Sequence, residues 1–139
     1  MTWKCKMVEY KGDWIDLKVG DMFWGPSPEE LIAQDPKWDT VITTYAQHLS
    51  AYYWEHNSGR RPLFVILPGL IPFCIDGQVW NEGHHSGGWT VTGEAPSVTV
   101  SPSINFGSMY HGFLQDGVIS SDCEGRFYNE QGYEVRPCA

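Results

Sequence analysis

Leu63-Phe64-Val65-Ile66-Leu67-Pro68-Gly69-Leu70-Ile71-Pro72-Phe73-Cys74-Ile75 is the longest apolar stretch of the chain, broken by Pro68-Gly69 and again by Pro72. Proline inside a helix removes a backbone donor and clashes with the preceding turn, and a membrane span needs about 18 or more apolar residues without such breaks. The stretch therefore reads as two core strands around a turn. Its first half, Pro62–Leu67, is a run of core type.

Downstream of this stretch the β signals continue. Phe73-Cys74-Ile75 meets Asp76-Gly77, a hairpin signal, followed by Gln78-Val79-Trp80. The segment Asn81–Gly88 holds three Gly and two His and reads as a loop. Trp89–Thr92 and Ser97–Ser101 alternate small polar with apolar residues, as half-buried strands do. Pro102 cannot donate to a ladder and marks an edge strand or a bulge. Tyr110–Leu114 and Val118–Ser120 flank the turn Gln115-Asp116-Gly117. Arg126–Tyr128 and Tyr133–Val135 flank Gln131-Gly132. Pro62–Gly125 is thus expected to form a compact, mostly antiparallel β module.

Upstream the pattern is mixed. Lys4–Val8 and Trp14–Val19 are short alternating pieces beside the turns Gly12-Asp13 and Gly20-Asp21, which predicts two short strands. Ser27-Pro28-Glu29-Glu30-Leu31 is a helix start: Ser27 caps, Pro28 suits the first helical position, and the two Glu favour the positive end of the dipole. Pro36 stops that helix. Thr40–Tyr45 is rich in strand formers, so Thr40–Glu55 is expected to begin extended and to turn helical at about Ser50–Trp54. His56–Gly59 closes it as a loop.

The fold expected is mainly β: a small antiparallel sandwich or partly open barrel of about seven to nine short strands, with one or two short helices in the N-terminal half. One domain spans 1–139, with N-terminal strands and a helix over 1–60 and a β module over 61–139. The 139 residues suit a single core, and 42% hydrophobic residues with seven Trp, seven Tyr and six Phe are ample to fill it.

Nine basic against seventeen acidic residues give a net charge of −8. Such a surface repels phosphate backbones, so nucleic acid is disfavoured as a partner, and the pair Arg60-Arg61 is too small a footprint to reverse this. The acidic excess suits solubility or docking on a basic protein. Cysteines stand at 5, 74, 123 and 138. The opening Met-Thr-Trp-Lys-Cys-Lys has no apolar core of a secretory signal, so reduced thiols in a cytoplasm are expected.

Two chemistries are suggested by residue type. His84, His85, His111 and Cys123 are of the kinds that bind zinc. Adjacent residues in extended backbone point apart, however, and His84-His85 is expected in an exposed loop. His111 with Asp116 and Ser101 or Ser103 has the composition of a hydrolase triad, yet Ser101-Pro102-Ser103 offers no nucleophile elbow and Asp116 is accounted for by its turn. His111 is expected to be half-buried and hydrogen-bonded across the sheet. Trp38, Tyr45, Tyr52, Tyr53 and Trp54 form an aromatic cluster that serves either a core or an interface. The binding residues expected are Trp54, Trp89, Tyr110 and His111.

Gly88-Trp-Thr-Val-Thr-Gly-Glu-Ala-Pro-Ser-Val-Thr-Val-Ser-Pro-Ser-Ile104, followed by Tyr110-His-Gly-Phe-Leu-Gln-Asp-Gly-Val-Ile119, resembles a family of small uncharacterised proteins encoded by tailed bacteriophages and prophages. Some of its members carry the misleading label "ammonia monooxygenase". The shared pattern is a Trp-containing strand, a Pro, a Ser-Pro-Ser-Ile element, then a His-Gly/Ser-Phe strand with a turn ending in Gly. It covers roughly 67–123, about two-fifths of the chain. Many relatives have Cys-x-x-Cys where Leu67-Pro68-Gly69-Leu70 stands, and a Cys where Tyr110 stands, with a further Cys aligned with Cys123. Those four groups resemble a structural zinc site in the relatives. Here three of the four are replaced, so the resemblance implies a domain held by apolar packing, without a cofactor.

The function expected is that of a non-enzymatic phage protein that binds protein: a virion accessory or decoration subunit, or a small factor acting on a host protein. It would work in the host cytoplasm or within the virion, away from membranes, as a monomer or homo-oligomer. The alternative is a metal-dependent or nucleophilic hydrolase built around His84, His85, His111 and Cys123.

Overall fold

In the computed structural model, residues 1–12, 16–49, 51–57, 60–76, 79–81, 84–86 and 89–135 are described, with backbone alone at 51, 52, 56, 79–81 and 84–86. The N-terminal third carries β1 (Trp3–Lys4), β2 (Lys6–Met7), β3 (Asp21–Trp24), α1 (Pro28–Ile32), α2 (Thr40–Gln47) and α3 (Ala51–His56). There follow β4 (Leu63–Leu67), β5 (Ile71–Cys74), β6 (Val79–Asn81), β7 (His84–Ser86), β8 (Thr90–Thr92) and β9 (Thr99–Asn105). The chain continues with β10 (His111–Gln115), β11 (Val118–Ile119), β12 (Phe127–Tyr128) and β13 (Glu134–Val135). The protein is mainly β with a few short helices.

Every residue of β4 is buried. Strand alternation sends Leu63, Val65 and Leu67 into one core and Phe64 and Ile66 into another. β5 returns antiparallel in a register running from Leu67↔Ile71 to Phe64↔Cys74. The turn between them needs two left-handed residues, Gly69 at φ 87° and Leu70 at φ 56°.

β4 is the centre of three layers. It lies in a four-stranded sheet ordered β2-β3-β4-β5, in which only the β2–β3 pair is parallel. A five-stranded antiparallel sheet, β1-β11-β10-β9-β8, covers one face. Met22, Leu63, Val65, Leu67, Ile71 and Phe73 from the first sheet meet Trp3, Val100, Ile104, Leu114 and Ile119 from the second in a shared core. This is sandwich packing. On the opposite face Phe23, Phe64, Ile66 and Cys74 pack against Tyr10, Trp38, Ile42, Leu49 and Tyr53, so the helices form the third layer. Rings stack there, Tyr10 on Trp38 at 4.8 Å and Phe23 on Phe64 at 5.4 Å between centroids. The β module expected at Pro62–Gly125 is completed by N-terminal strands, because β1 pairs with β11 and β3 with β4.

α1 follows its local signals. Ser27 caps it by accepting from the Glu30 N–H at 3.2 Å, and the Glu30 carboxylate accepts in return from the Ser27 N–H at 3.3 Å. The extended start expected at Thr40 is not found: Thr40–Gln47 is helical. Asp39 Oδ1 accepts from the Ile42 N–H at 2.9 Å, and Ile42 and Ala46, one turn apart, are both fully buried. Cap and burial outweigh the strand propensity of Thr, Val and Ile.

Other expectations are displaced. Of the strand expected at Trp14–Val19, residues 14 and 15 lie outside the described residues and 16–19 are not strand, while a strand stands at Asp21–Trp24. Asp21 closes a turn just before it, its carboxylate accepting from the Lys18 N–H at 2.8 Å. The hairpin expected at Asp76-Gly77 would pair β5 with β6, but β6 pairs with β7 and β5 with β4. Gly77 and Gln78 lie outside the described residues. The Asp76 carboxylate turns back instead, accepting from the Leu63 N–H at 2.7 Å and from Arg60. The backbone of His84 and His85 is strand, not loop. Pro102 sits in a bulge, where Ser101-Pro102-Ser103 lie opposite Phe113 between the pairs Gly112↔Ile104 and Leu114↔Val100. β9 is no edge, since β8 and β10 flank it.

Candidate functional site

The bulge in β9 and the first residue of β10 bring two sequence-suggested residues together. Ser103 Oγ lies 3.0 Å from His111 Nε2, a bond across neighbouring strands. Half-buried His111 thus has the cross-strand partner its sequence context suggests. Its other nitrogen, Nδ1, stands 3.8 Å from Glu124 Oε2, which is beyond hydrogen-bond length. Cys123 donates its N–H to the His111 carbonyl at 2.6 Å, and its side chain is exposed. Asp116 takes no part: it sits at the far end of β10, donating its N–H to Thr99 Oγ1 at 2.9 Å.

Arg126 organises the polar groups beside this pair. Its Nη1 donates to Asp122 at 2.6 Å, and its Nη2 donates to Glu124 at 2.9 Å and to the Gly107 carbonyl at 2.7 Å. Lost hydration lowers the Arg126 pKa, but the hydrogen bonds and charges of Asp122 and Glu124 outweigh this and hold it above its ordinary value. Beneath lies Tyr110, fully buried, its hydroxyl donating to the Ser120 carbonyl at 2.8 Å. Burial, reinforced by the charges of Cys123 and Asp122 against the opposing Ser120 bond, pushes its pKa up to about 12.

The chain beyond Arg126 forms a separate β12–β13 hairpin. Tyr128 points inward, packing edge-on to Trp3 at 6.3 Å and donating to the Met109 carbonyl. The outward face carries Phe127 directly across from Val135, with Tyr133 beside them. These three are 71%, 49% and 59% exposed. Glu124, Glu130 and Glu134 are also exposed, Glu134 pairing across from Tyr128 and so on the other face of the hairpin from Phe127.

Of the expected binding residues, Trp89 and His111 meet at Ser103, Tyr110 is buried next to them, and Trp54 stands apart in the helix layer. Half-buried Trp54 packs edge-on to Tyr53 in the helix layer. Half-buried Trp89 packs edge-on to Phe73 and donates its indole N–H to the Ser103 carbonyl at 3.3 Å. Tyr110 cannot contact a partner, because the sandwich core encloses it. The aromatic cluster is mostly core: Trp38 and Tyr53 are buried and Tyr45 half-buried, while the Tyr52 side chain lies outside the described residues.

The side chains of His84 and His85 also lie outside the described residues. Among the described residues no group of three His, Cys, Asp or Glu side chains could hold a metal ion. The positions that correspond to zinc ligands in the resembling family are distributed over different layers. Leu67 and Tyr110 lie in the sandwich core, Leu70 packs against the other core, and Cys123 is exposed. Sequence reading missed Glu124, Arg126 and the exposed hairpin face. The alternation Phe127-Tyr128 was a usable signal, since it puts two aromatic rings on opposite sides of one strand.

No protein-family model, curated protein or solved structure matches the chain. No described helix is long and apolar enough to cross a membrane.

Proposed function

We propose that this chain is a phage-encoded, non-enzymatic protein-binding module that docks a basic protein through the outward face of the β12–β13 hairpin. The observation that carries the reading is the exposure of Phe127 and of its cross-strand partner Val135 on a hairpin whose inward residue, Tyr128, anchors it to the core. Exposed aromatics framed by polar groups are the composition of an interface centre and rim. Exposed Glu130 and Glu134 on the hairpin, with the net charge of −8, favour a basic partner. The phage context comes from the resemblance of the Ser-Pro-Ser-Ile and His-Gly-Phe segments.

The test is a photo-crosslinking residue placed at Phe127, compared with one at Ile32 in α1, during production of the protein in the phage-infected host. A single adduct with a Lys/Arg-rich protein, formed from position 127 only and lost on Glu130→Lys with Glu134→Lys, is expected. Equal capture at both positions, or capture of a second copy of this chain alone, overturns the reading. Mass spectrometry of purified virions then separates a particle subunit from a host-directed factor.

A second reading, a serine hydrolase, draws on the 3.0 Å contact of Ser103 Oγ with His111 Nε2. A nucleophile–base pair needs an orienting group on the second ring nitrogen. Glu124 stands too far for that and is engaged by Arg126, so the binding reading is preferred. Labelling of Ser103 by a fluorophosphonate, abolished in His111→Gln, would reverse the preference.

A further inference from the structure

The ring of His111 stands between two groups from different parts of the chain. Its Nε2 lies 3.0 Å from Ser103 Oγ on β9, and its Nδ1 faces Glu124 Oε2 at 3.8 Å. That gap is too long for a hydrogen bond, but a charge on the imidazole acts strongly across it. The same Glu124 oxygen accepts from Arg126 at 2.9 Å, and a carboxylate oxygen has two lone pairs, so a second donor has a place. The Glu124 side chain is 52% exposed, which leaves it room to approach the ring.

Glu124 belongs to a turn that leads into the hairpin. The turn runs from Asp122 to Gly125, closed by the Gly125 N–H on the Asp122 carbonyl at 3.3 Å, and Arg126 then enters β12. Its backbone tie to β10 is the Cys123 N–H on the His111 carbonyl at 2.6 Å. The ionisable groups of the turn are Asp122, Cys123, Glu124 and Arg126. Tyr110, before His111, directs its hydroxyl to the Ser120 carbonyl. β9 contains no ionisable residue and presents Ser103 and Asn105. Arg126 opposes a proton on His111 and the two carboxylates favour it. Of the two, Asp122 is taken up by Arg126 at 2.6 Å and by the Glu124 N–H at 2.8 Å, while Glu124 faces the ring.

We infer that His111 is a proton-sensitive latch: once protonated, it pairs with Glu124 and fixes the Asp122–Gly125 turn, and with it the root of the β12–β13 hairpin, to β10. Histidine gains its charge between about pH 8 and pH 5, a range over which glutamate stays charged. The doubly protonated ring carries an N–H on each side, one for Ser103 Oγ and one for Glu124. A histidine that acquires a carboxylate partner only in the folded chain stabilises the fold at the acidic end, and this contribution is lost as pH rises. The latch does not depend on what the hairpin binds.

The test is a double-mutant cycle by urea unfolding of wild type, His111→Gln, Glu124→Gln and the double variant, at about pH 5.5 and about pH 8. Both substitutions keep a polar side chain of similar size, and the cycle cancels titrations elsewhere in the chain. At the acidic pH the pair is expected to favour folding roughly threefold beyond the two single effects, and at the alkaline pH not at all. The same coupling at both pH values, or none at either, overturns the inference. Hydrogen exchange of the Cys123 amide then reads the turn itself. Its protection factor should rise on acidification in wild type and stay level in Glu124→Gln. Coupling without that rise would mean an ion pair that leaves the turn as it was, and the latch would fall.

Discussion

The hydroxyl of Tyr110 lies where a side chain on residue 112 would have to go: a Cβ built on Gly112 comes within 2.0 Å of the Tyr110 hydroxyl oxygen and 2.5 Å of the ring carbon that bears it. The ring thus crosses under its own strand and ties β10 to the Ser120 carbonyl at 2.8 Å. Glycine at 112 is required by this close approach, with no unusual φ involved.

Gly112→Ala is therefore expected to destabilise the fold by about 1–3 kcal/mol or more, the cost of overpacking a filled core. Tyr110→Phe loses a buried hydrogen bond and costs about 1–3 kcal/mol. Adding Tyr110→Phe to Gly112→Ala does not rescue it, because the ring carbon still collides. Urea midpoints measure all three, and an unchanged midpoint for Gly112→Ala would show that the packing is wrong.

Asp39 joins two elements, accepting from the Ile42 N–H at 2.9 Å and from the Tyr10 hydroxyl at 2.7 Å. Asp39→Ala removes the cap of α2 and one hydrogen bond of the Tyr10 hydroxyl, for an expected loss of about 2 kcal/mol. Asp39→Asn keeps the cap and should recover about half of that. Thermal melts with far-ultraviolet circular dichroism decide it; equal melting of the Ala and Asn variants would remove the capping role.

The Asp76 side chain is 6% exposed and holds both Arg60 and the Leu63 N–H, whereas Arg60 is open on one side. Asp76→Ala removes the acceptor of a buried N–H and the counter-ion of a half-buried cation, with an expected cost of about 3 kcal/mol, the low end for breaking a buried pair. Burial raises the Asp76 pKa against the lowering effect of Leu63 and Arg60. A carboxyl raised in the folded state contributes stability fully present below its ordinary value of 3.8 and lost as pH rises through the folded value. The stability gap between wild type and Asp76→Ala should accordingly widen on acidification toward pH 4, which urea titrations at several pH values would read.

Alkaline pH should unfold the protein. Burial, with the Asp21 charge, pushes Cys5 from 9.0 to about 12. Burial, with the Asp76 charge and against the pull of Arg60, pushes Tyr53 from 10.0 to about 12, and Tyr110 rises equally. All three are neutral acids favoured by the fold. Their contribution is complete below pH 9, and it is lost as pH rises toward 12. Absorbance at the tyrosinate band should show a late, cooperative step coincident with loss of secondary structure. One simple titration at the ordinary tyrosine pKa, with the fold retained, would contradict this.

Much of the architecture was legible because its determinants are local. Leu63–Leu67 and Ile71–Cys74 announce two buried strands, since an apolar run broken by Pro-Gly has no other compact solution. Ser27, Pro28 and Glu30 specify a helix start within four residues. His111 and Ser103 were legible as candidate partners. α2 was not legible, because Thr40–Tyr45 carry strand propensity and only burial of Ile42 and Ala46 against the sheet favours helix.

Local sequence signals suffice for a mainly β chain with a capped helix, an Asp-Gly and a Gln-Gly turn near the end and a proline that sits at an irregularity. Those features depend on backbone sterics and on contacts a few residues apart. The remaining features come from contacts across the whole fold: β4 separates two cores, Trp3 packs edge-on to Tyr128, and Phe127 faces out while Tyr110 is sealed in. Such outcomes depend on which surfaces meet across the whole chain, and pairings as distant as Trp3 with Ile119 leave no mark in local pattern.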